Sequence, residues 1–287
     1  MSERGVSNGA GVLYVVATPI GNLDDFTLRA IEVLKTVQRI AAEDTRHTRR
    51  LLQYHGIDTP MVALHEHNER QVMGRILGWL EQGGSIALVS DAGTPLISDP
   101  GFPLVRECRR RGLRVSPVPG PSAMLAALSV SGLPADSFCF HGFLPRQVSA
   151  RREKLKQLAK AGGTSIFYES AHRIAGMLED CCQVLGPVRE GVVARELTKQ
   201  YEEVLSGTLC ELARTVEGDP LRRKGEFVVL ITPPQAEAGE GVSVQALQVA
   251  EVLLGELPLK QAAALAAKIT GEKKNRLYRE LLARHRS

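Results

Sequence analysis

Cysteine, tryptophan and long apolar runs are scarce in this chain of 287 residues. Its five cysteines (Cys108, Cys139, Cys181, Cys182, Cys210) are odd in number, and no two stand in a CxxC pair. That argues against a disulfide framework or a zinc site and for a reducing compartment. No apolar stretch reaches the roughly 20 residues a membrane span needs. The opening MSERGVSNGAG lacks the apolar segment of a signal peptide and reads as a disordered leader over residues 1–10. A cytoplasmic protein is expected. Three ligand signatures are also missing: GxGxxG for dinucleotides, GxxxxGK[ST] for phosphates and HExxH for zinc. His65 and His67 bracket Glu66, but an HxH with no further Cys or His nearby predicts a polar loop and no metal.

What is present is ordinary in amount and uneven in placement. With 44% hydrophobic and 24% charged residues the composition is that of a globular protein. The length allows two domains and a small third. Net charge is +4, yet Pro258 to Ser287 holds eight basic residues against Glu272 and Glu280, so the tail carries +6 and the rest −2. A second basic cluster includes Arg146, Arg151, Arg152, Lys154, Lys156 and Lys160. Such clusters are usually solvated helix faces. Two of them in a near-neutral chain point to a polyanionic partner.

One stretch organises the chain: SIALVSDAGTPLISDPG, from Ser85 to Gly101. Ile86 to Val89 is apolar without alternation, as a strand covered on both faces is. Pro95 and Pro100 lack the amide a ladder needs, and Gly93 and Gly101 permit unusual backbone angles, so the strand must end in a loop. A helix is predicted from Phe102 to Arg111. The loop then sits at the carboxyl end of a parallel strand, where open α/β sheets bind ligands. The alternative is a plain turn-rich connection, though this one exceeds the usual 2–6 residues.

Elsewhere the pattern repeats. Val12 to Ala17 is a β-branched run that ends in TPIGNLDD. Arg39 to Ala42 precedes EDTRHT, where Thr45 is a candidate N-cap for a helix to His55. Met61 to Leu64 precedes HEHNE, and a helix to Gln82 carries the only tryptophan, Trp79. Leu113 to Val118 leads into PGPS, with Pro121 read as the first residue inside a helix over Ala123 to Val130. Alternating β and α segments imply a mostly parallel sheet over residues 11–134. Over 135–233, strands are expected at Ser137–His141, Thr164–Glu169, Gly191–Arg195, Gln200–Thr208 and Gly225–Thr232, in a mixed sheet. Helices fall at Val148–Lys160 and Ala171–Leu185. Residues 234–242 read as a linker, and 243–287 as helices with a tight Thr270-Gly271 turn before a basic helix, like a helix-turn-helix.

Seven segments in one order, LYVVATPIGNLDD, AAEDTRHT, SDAGTPLISDPG, VSPVPGPSA, FYESAHR, VARELTKQYEE and GEFVVLI, closely resemble the rRNA-methylating branch of the tetrapyrrole methylase (class III) superfamily. The resemblance implies an α/β fold: two α/β domains with the cofactor in the cleft between them, and a small helix-turn-helix-like unit. It also implies S-adenosylmethionine as cofactor, methylation of a cytidine ribose 2′-hydroxyl in 16S rRNA of the small ribosomal subunit, and a homodimer. Carried over by position, cofactor contacts fall on Pro19, Asp91, Gly93, Thr94, Pro95, Leu96, Ile97, Ser122, Ala123, Tyr168 and Ala194. RNA contacts are assigned to Arg151, Arg152, Lys268, Lys273, Lys274 and Arg276.

A ribose hydroxyl is a poor nucleophile, so a base or a cation facing the developing alkoxide would help. Lys199 and Glu196 lead the candidates, followed by Glu43, Asp44, His65 and Glu169, all at predicted strand ends. Two other readings remain: a tetrapyrrole methylase, which the basic segments oppose, and a non-catalytic RNA-binding assembly protein.

Overall fold

The computed structural model describes residues 10–159, 162–234, 242 and 244–284. They form two compact units, Met1–Pro233 and Pro234–Ser287. The leader and most of the linker expected from sequence lie outside the described residues, as do Lys160 and Arg286.

The first unit contains two sheets. Strands β1 (Val12–Val16), β2 (Arg39–Ala42), β3 (Met61–Ala63), β4 (Ile86–Val89) and β5 (Arg114–Val118) alternate with helices α1 (Leu28–Thr36), α2 (Thr45–Tyr54), α3 (Glu69–Glu81) and α4 (Phe102–Arg110). Their order is β3-β2-β4-β1-β5, and every pairing is parallel. β4 is buried along its whole length because helices cover both faces, with separate apolar clusters on either side. β1 and β4 are neighbours, so the TPIGN and SDAGTPL loops leave the sheet side by side.

Helix α5 (Ala123–Ser131) joins the sheets. It is apolar almost all round, as a helix packed on more than one side must be. Ala127 and Leu128 lie in one cluster with Ile166, Val192, Val228 and Leu230 of the second sheet. Burying a leucine of this kind contributes roughly 1.5–3 kcal/mol. That sheet comprises β6 (Phe138–Phe143), β7 (Thr164–Ser170), β8 (Glu190–Arg195), β9 (Glu203–Thr208) and β10 (Glu226–Ile231) in the order β6-β7-β10-β8-β9. Only β6 and β7 run parallel; the other pairings are antiparallel. Helices α6 (Val148–Leu158), α7 (Ile174–Leu185) and α8 (Leu209–Gly218) complete the unit.

Several local expectations are corrected. Asp44, not Thr45, caps α2: its carboxylate accepts from the Arg46 amide at 2.8 Å. Pro121 precedes the cap residue Ser122 and so lies outside α5. Helix α8 is additional to the elements expected from sequence, and Thr208 and Glu211 form a reciprocal capping box at its start. Arg151 is buried, not displayed to a polyanion. It donates to Asp180 at 2.6 Å, and Arg152 donates to the same carboxylate at 2.6 Å. Cys182 of α7 and Cys210 of α8 form a disulfide with Cα atoms 5.1 Å apart. An odd cysteine count disfavours a framework of bridges; it cannot exclude one pair created by helix packing.

Among the described residues the second unit is three helices, α9 (Val244–Leu254), α10 (Leu259–Thr270) and α11 (Lys274–Arg284). Small residues, Ala246, Ala250, Ala263 and Ala266, let the helices close on Leu277 and Leu281. Gly271 ends α10 with φ 76°, the left-handed conformation that a helix stop favours. Lys268, Lys273 and Lys274 are exposed, while Arg276 is half-buried.

Candidate active site

The SDAGTPL loop is fastened to its neighbours by the backbone. Thr18 and Gly93 exchange amide hydrogen bonds, each 2.9 Å, and the Thr18 hydroxyl donates to the Ser90 carbonyl at 3.2 Å. The Thr94 hydroxyl donates to the Pro121 carbonyl at 3.1 Å. From the cap of α2, the Asp44 amide donates to Asp91 at 3.0 Å. Among the described residues only four non-glycine residues have positive φ: Leu96, Ser98, Glu196 and Thr198. Two stand in this loop and two in the loop after β8. Such conformations are costly and concentrate at functional positions.

Between these loops lies a cavity of about 360 Å³. Of the cofactor contacts expected from the resemblance, Asp91, Gly93, Thr94, Ile97, Ser122, Ala123, Tyr168 and Ala194 line it. Pro19 does not; it faces an adjoining cavity. Pro95 and Leu96 line neither. Pro95 is buried, and Leu96 packs on the core beneath the first sheet. The Tyr168 hydroxyl accepts from the Met124 amide at 3.3 Å, and its ring meets Phe140 edge-on at 4.7 Å.

Of the candidate catalytic side chains, Glu43, Glu169, Glu196 and Lys199 reach the cavity wall. Asp44 does not; it is engaged by Arg46 at 2.8 Å, which holds its carboxyl well below the usual range. His65 also lies off the wall. It is tied into the turn before α3, where its amide donates to Asn68 at 2.9 Å. Glu169 is fully buried and ion-paired with Arg173 at 3.1 Å.

Lys199 donates to Glu196 at 2.9 Å and to Glu226 at 2.8 Å. Burial works against its charge, but the two carboxylates outweigh that and raise its pKa. Lys199 is therefore a cation at neutral pH, not a base. Burial likewise works against ionised Glu196, yet Lys199 and the Glu226 amide carry its pKa below the ordinary value. Glu43 behaves oppositely: burial first, then repulsion from Asp99 and Asp91, raises its pKa. Asp99 was absent from the sequence candidates. It lines the cavity, and burial, reinforced by Asp91, raises it to about 6 despite a hydrogen bond with Ser90. The available signal was its place in SDPG, in the same loop as Asp91.

The cavity suits a small cofactor in size, since such sites run from about 300 Å³ upward. Small residues allow close approach, and Glu43, Asp91 and Asp99 favour a cationic group. Among the described residues no cluster of three or more His, Cys, Asp or Glu could hold a metal ion, and no helix is long and apolar enough to cross a membrane.

The family model of Tetrapyrrole (Corrin/Porphyrin) Methylases matches residues 12–213. A second model, the RsmI C-terminal HTH domain, matches residues 240–285. The ribosomal RNA small subunit methyltransferase I of Pseudomonas aeruginosa is 53% identical over 276 residues, covering 96% of this chain and 98% of its own. Its counterpart in Escherichia coli O157:H7 is 52% identical over 280 residues, covering 98% of each. Among solved structures, the cobalt precorrin-4 methyltransferase CbiF superimposes with a TM-score of 0.59 at 16% identity, covering 77% of this chain and 94% of that one. A Thermus thermophilus uroporphyrin-III C-methyltransferase complexed with S-adenosylhomocysteine gives 0.53 at 20% identity, covering 77% and 96%. At such identity these structures speak for the fold alone. The chain belongs to the ribosomal RNA small subunit methyltransferase I family of the tetrapyrrole methylases.

Proposed function

We propose that this protein uses S-adenosylmethionine to methylate the 2′-hydroxyl of a cytidine ribose in 16S rRNA. The observation that carries the reading is a single cavity lined both by the carboxylates Glu43, Asp91 and Asp99 and by the Lys199 cation. Asp91, Gly93, Thr94, Ile97, Ser122, Ala123, Tyr168 and Ala194 would hold the cofactor. When bound, it supplies a methyl group on cationic sulfur, which departs as a neutral thioether.

The protein's part is to position the hydroxyl, accept its proton and face the developing negative charge. Positioning alone can supply much of the rate. Asp99 and Glu43 suit proton acceptance, because a base works best with a pKa near the working pH. Lys199, held protonated and directed by two carboxylates, suits the alkoxide. Lys268, Lys273, Lys274 and Arg276 of the second unit, with Arg152 of the first, supply phosphate contacts. Exposed apolar side chains Leu125, Val130 and Phe138 favour a homodimer, and the substrate favours a cytoplasmic location.

Small subunits from a strain lacking this protein, incubated with it and tritiated S-adenosylmethionine, test the reading. Label is expected on one cytidine ribose after nuclease digestion and mass spectrometry. Bound cofactor with no transfer to rRNA would refute it.

A further inference from the structure

A second cavity, of about 520 Å³, adjoins the first. Ile20, Asp91, Ala92, Lys199 and Glu226 line both, so the two share one wall. Beyond that wall the second is enclosed by Gly21 and Leu23 of the loop after β1 and by His47, Thr48, Arg50 and Leu51 of α2.

Its chemistry differs from that of its neighbour. Besides the wall, the first cavity presents Glu43, Asp99 and Glu169, which repel phosphate. The second presents Arg50 and His47 instead, and Arg50 makes no ion pair among the described residues. The Thr48 side chain supplies an independent sign of a ligand. It is 3% exposed, and its Oγ1 is buried with no hydrogen-bond partner. A buried hydroxyl left unpaired is destabilising, and a ligand atom in the cavity would remove that cost. The apolar faces of Leu23 and Leu51 can flank a planar group.

Resting on the rRNA-methylation reading above, we propose that this second cavity receives a single ribonucleotide swung out of the RNA strand. Its base lies against Leu23 and Leu51 with an edge at the Thr48 hydroxyl. Its phosphate faces Arg50, and its ribose meets the shared wall at Lys199. Enzymes that must reach a base inside a duplex extrude its nucleotide into a pocket between aromatic or apolar side chains; a ribose 2′-hydroxyl brought to Lys199 can use the same device, and a cavity of this volume can hold one nucleotide.

Leu23 is 37% exposed, so Leu23→Trp fills the cavity from its mouth without entering the core. With undermethylated small subunits as substrate, Leu23→Trp is expected to lower kcat/KM about a hundredfold, leaving the Kd for S-adenosylhomocysteine within about twofold of wild type. Thr48→Val keeps the volume and removes the hydroxyl. It should raise KM for subunits, whereas a merely structural hydroxyl would change thermal stability alone. Filter binding of the same subunits needs no turnover; exclusion of the nucleotide from the filled cavity should weaken it about tenfold in Leu23→Trp. Wild-type protein that binds subunits but transfers no methyl removes the methylation reading and leaves the cavity to the binding result. Equal subunit affinity in wild type and Leu23→Trp, or cofactor affinity falling in step with activity, overturns the assignment.

Discussion

Gly21 is where the loop after β1 touches the loop after β8, and adding one methyl group there tests how tightly the site is assembled. A Cβ on Gly21 would lie 2.4 Å from Lys199 Cγ, 2.9 Å from Thr198 Oγ1 and 3.0 Å from the Leu197 carbonyl. Ordinary contact begins near 3.4 Å, so Lys199 must retreat by about 1 Å. It cannot swing aside freely, because its far end is held by Glu196 and Glu226. Thr198, whose hydroxyl accepts from the Asn22 amide at 3.2 Å, is held as well. The two loops must therefore part. A displacement of about 1 Å at a reacting centre can cost about a hundredfold in rate, or about 2.7 kcal/mol of barrier. Gly21→Ala should lower kcat/KM for small-subunit methylation by that factor while shifting Tm by only a few degrees, since Gly21 is exposed. In a Lys199→Ala background the closest clash is gone while those with Thr198 and Leu197 remain, so the same substitution should cost less than it does in the wild type. Gly21→Ala activity within threefold of wild type would refute this account of the clasp.

Three further outcomes follow from the geometry. Asp180→Ala leaves the buried Arg151 guanidinium without its partner, and denaturant unfolding should show a loss of about 3–5 kcal/mol; the double change Arg151→Met with Asp180→Leu should recover most of it. Asp99, raised to about 6 by burial first, predicts activity that climbs with pH until near 6, a limb that Asp99→Asn abolishes in kcat–pH profiles. Protonated Asp99 favours the folded state, so stability falls as pH rises from about 4 through 6, and melting curves of Asp99→Asn should lack that fall. Replacing Lys268, Lys273 and Lys274 with alanine should flatten the salt dependence of RNA binding by roughly 2–3 in log–log slope. Affinity for S-adenosylhomocysteine, measured by calorimetry, should not change.

Strand positions were legible because a buried parallel strand has few other sequence solutions: Ile86–Val89 and Arg39–Ala42 are recovered to the residue. Helix starts were harder. Asp44 and Thr45 are both good caps, and only the backbone reveals that Asp44 takes the role. The strand expected over Gln200–Thr208 ends where β9 ends, and helix α8 starts at the next residue, signalled by its Thr-x-x-Glu box. The site was legible as loops and opaque as chemistry. Spacing cannot show that Lys199 lies between two carboxylates, one of them 27 residues away on β10. Nor can it show that Arg151 turns inward while Arg152, one residue later, stays half-exposed. Those facts belong to tertiary packing, which composition and periodicity do not encode.

The four left-handed residues bear on why the cradle is rigid. A non-glycine residue in that conformation costs roughly 1–2 kcal/mol, so Leu96, Ser98, Glu196 and Thr198 together carry about 4–8 kcal/mol of strain. That rivals the whole net stability of an ordinary domain, about 5–15 kcal/mol, and must be offset locally. On one side the offset is the Thr18–Gly93 amide pair and the Thr94 bond to Pro121. On the other it is the bond from the Glu196 amide to the Glu226 carbonyl, the return bond from the Glu226 amide to the Glu196 carboxylate, and the Lys199 bridge. Glycine at these positions would remove the strain, but it would also free each loop to sample other conformations. Retaining side chains there fixes Glu196 and, through it, the direction of the Lys199 ammonium before any substrate arrives. Strain concentrated in the two facing loops, and found nowhere else among the described residues, is what a preorganised transfer site requires of an α/β scaffold.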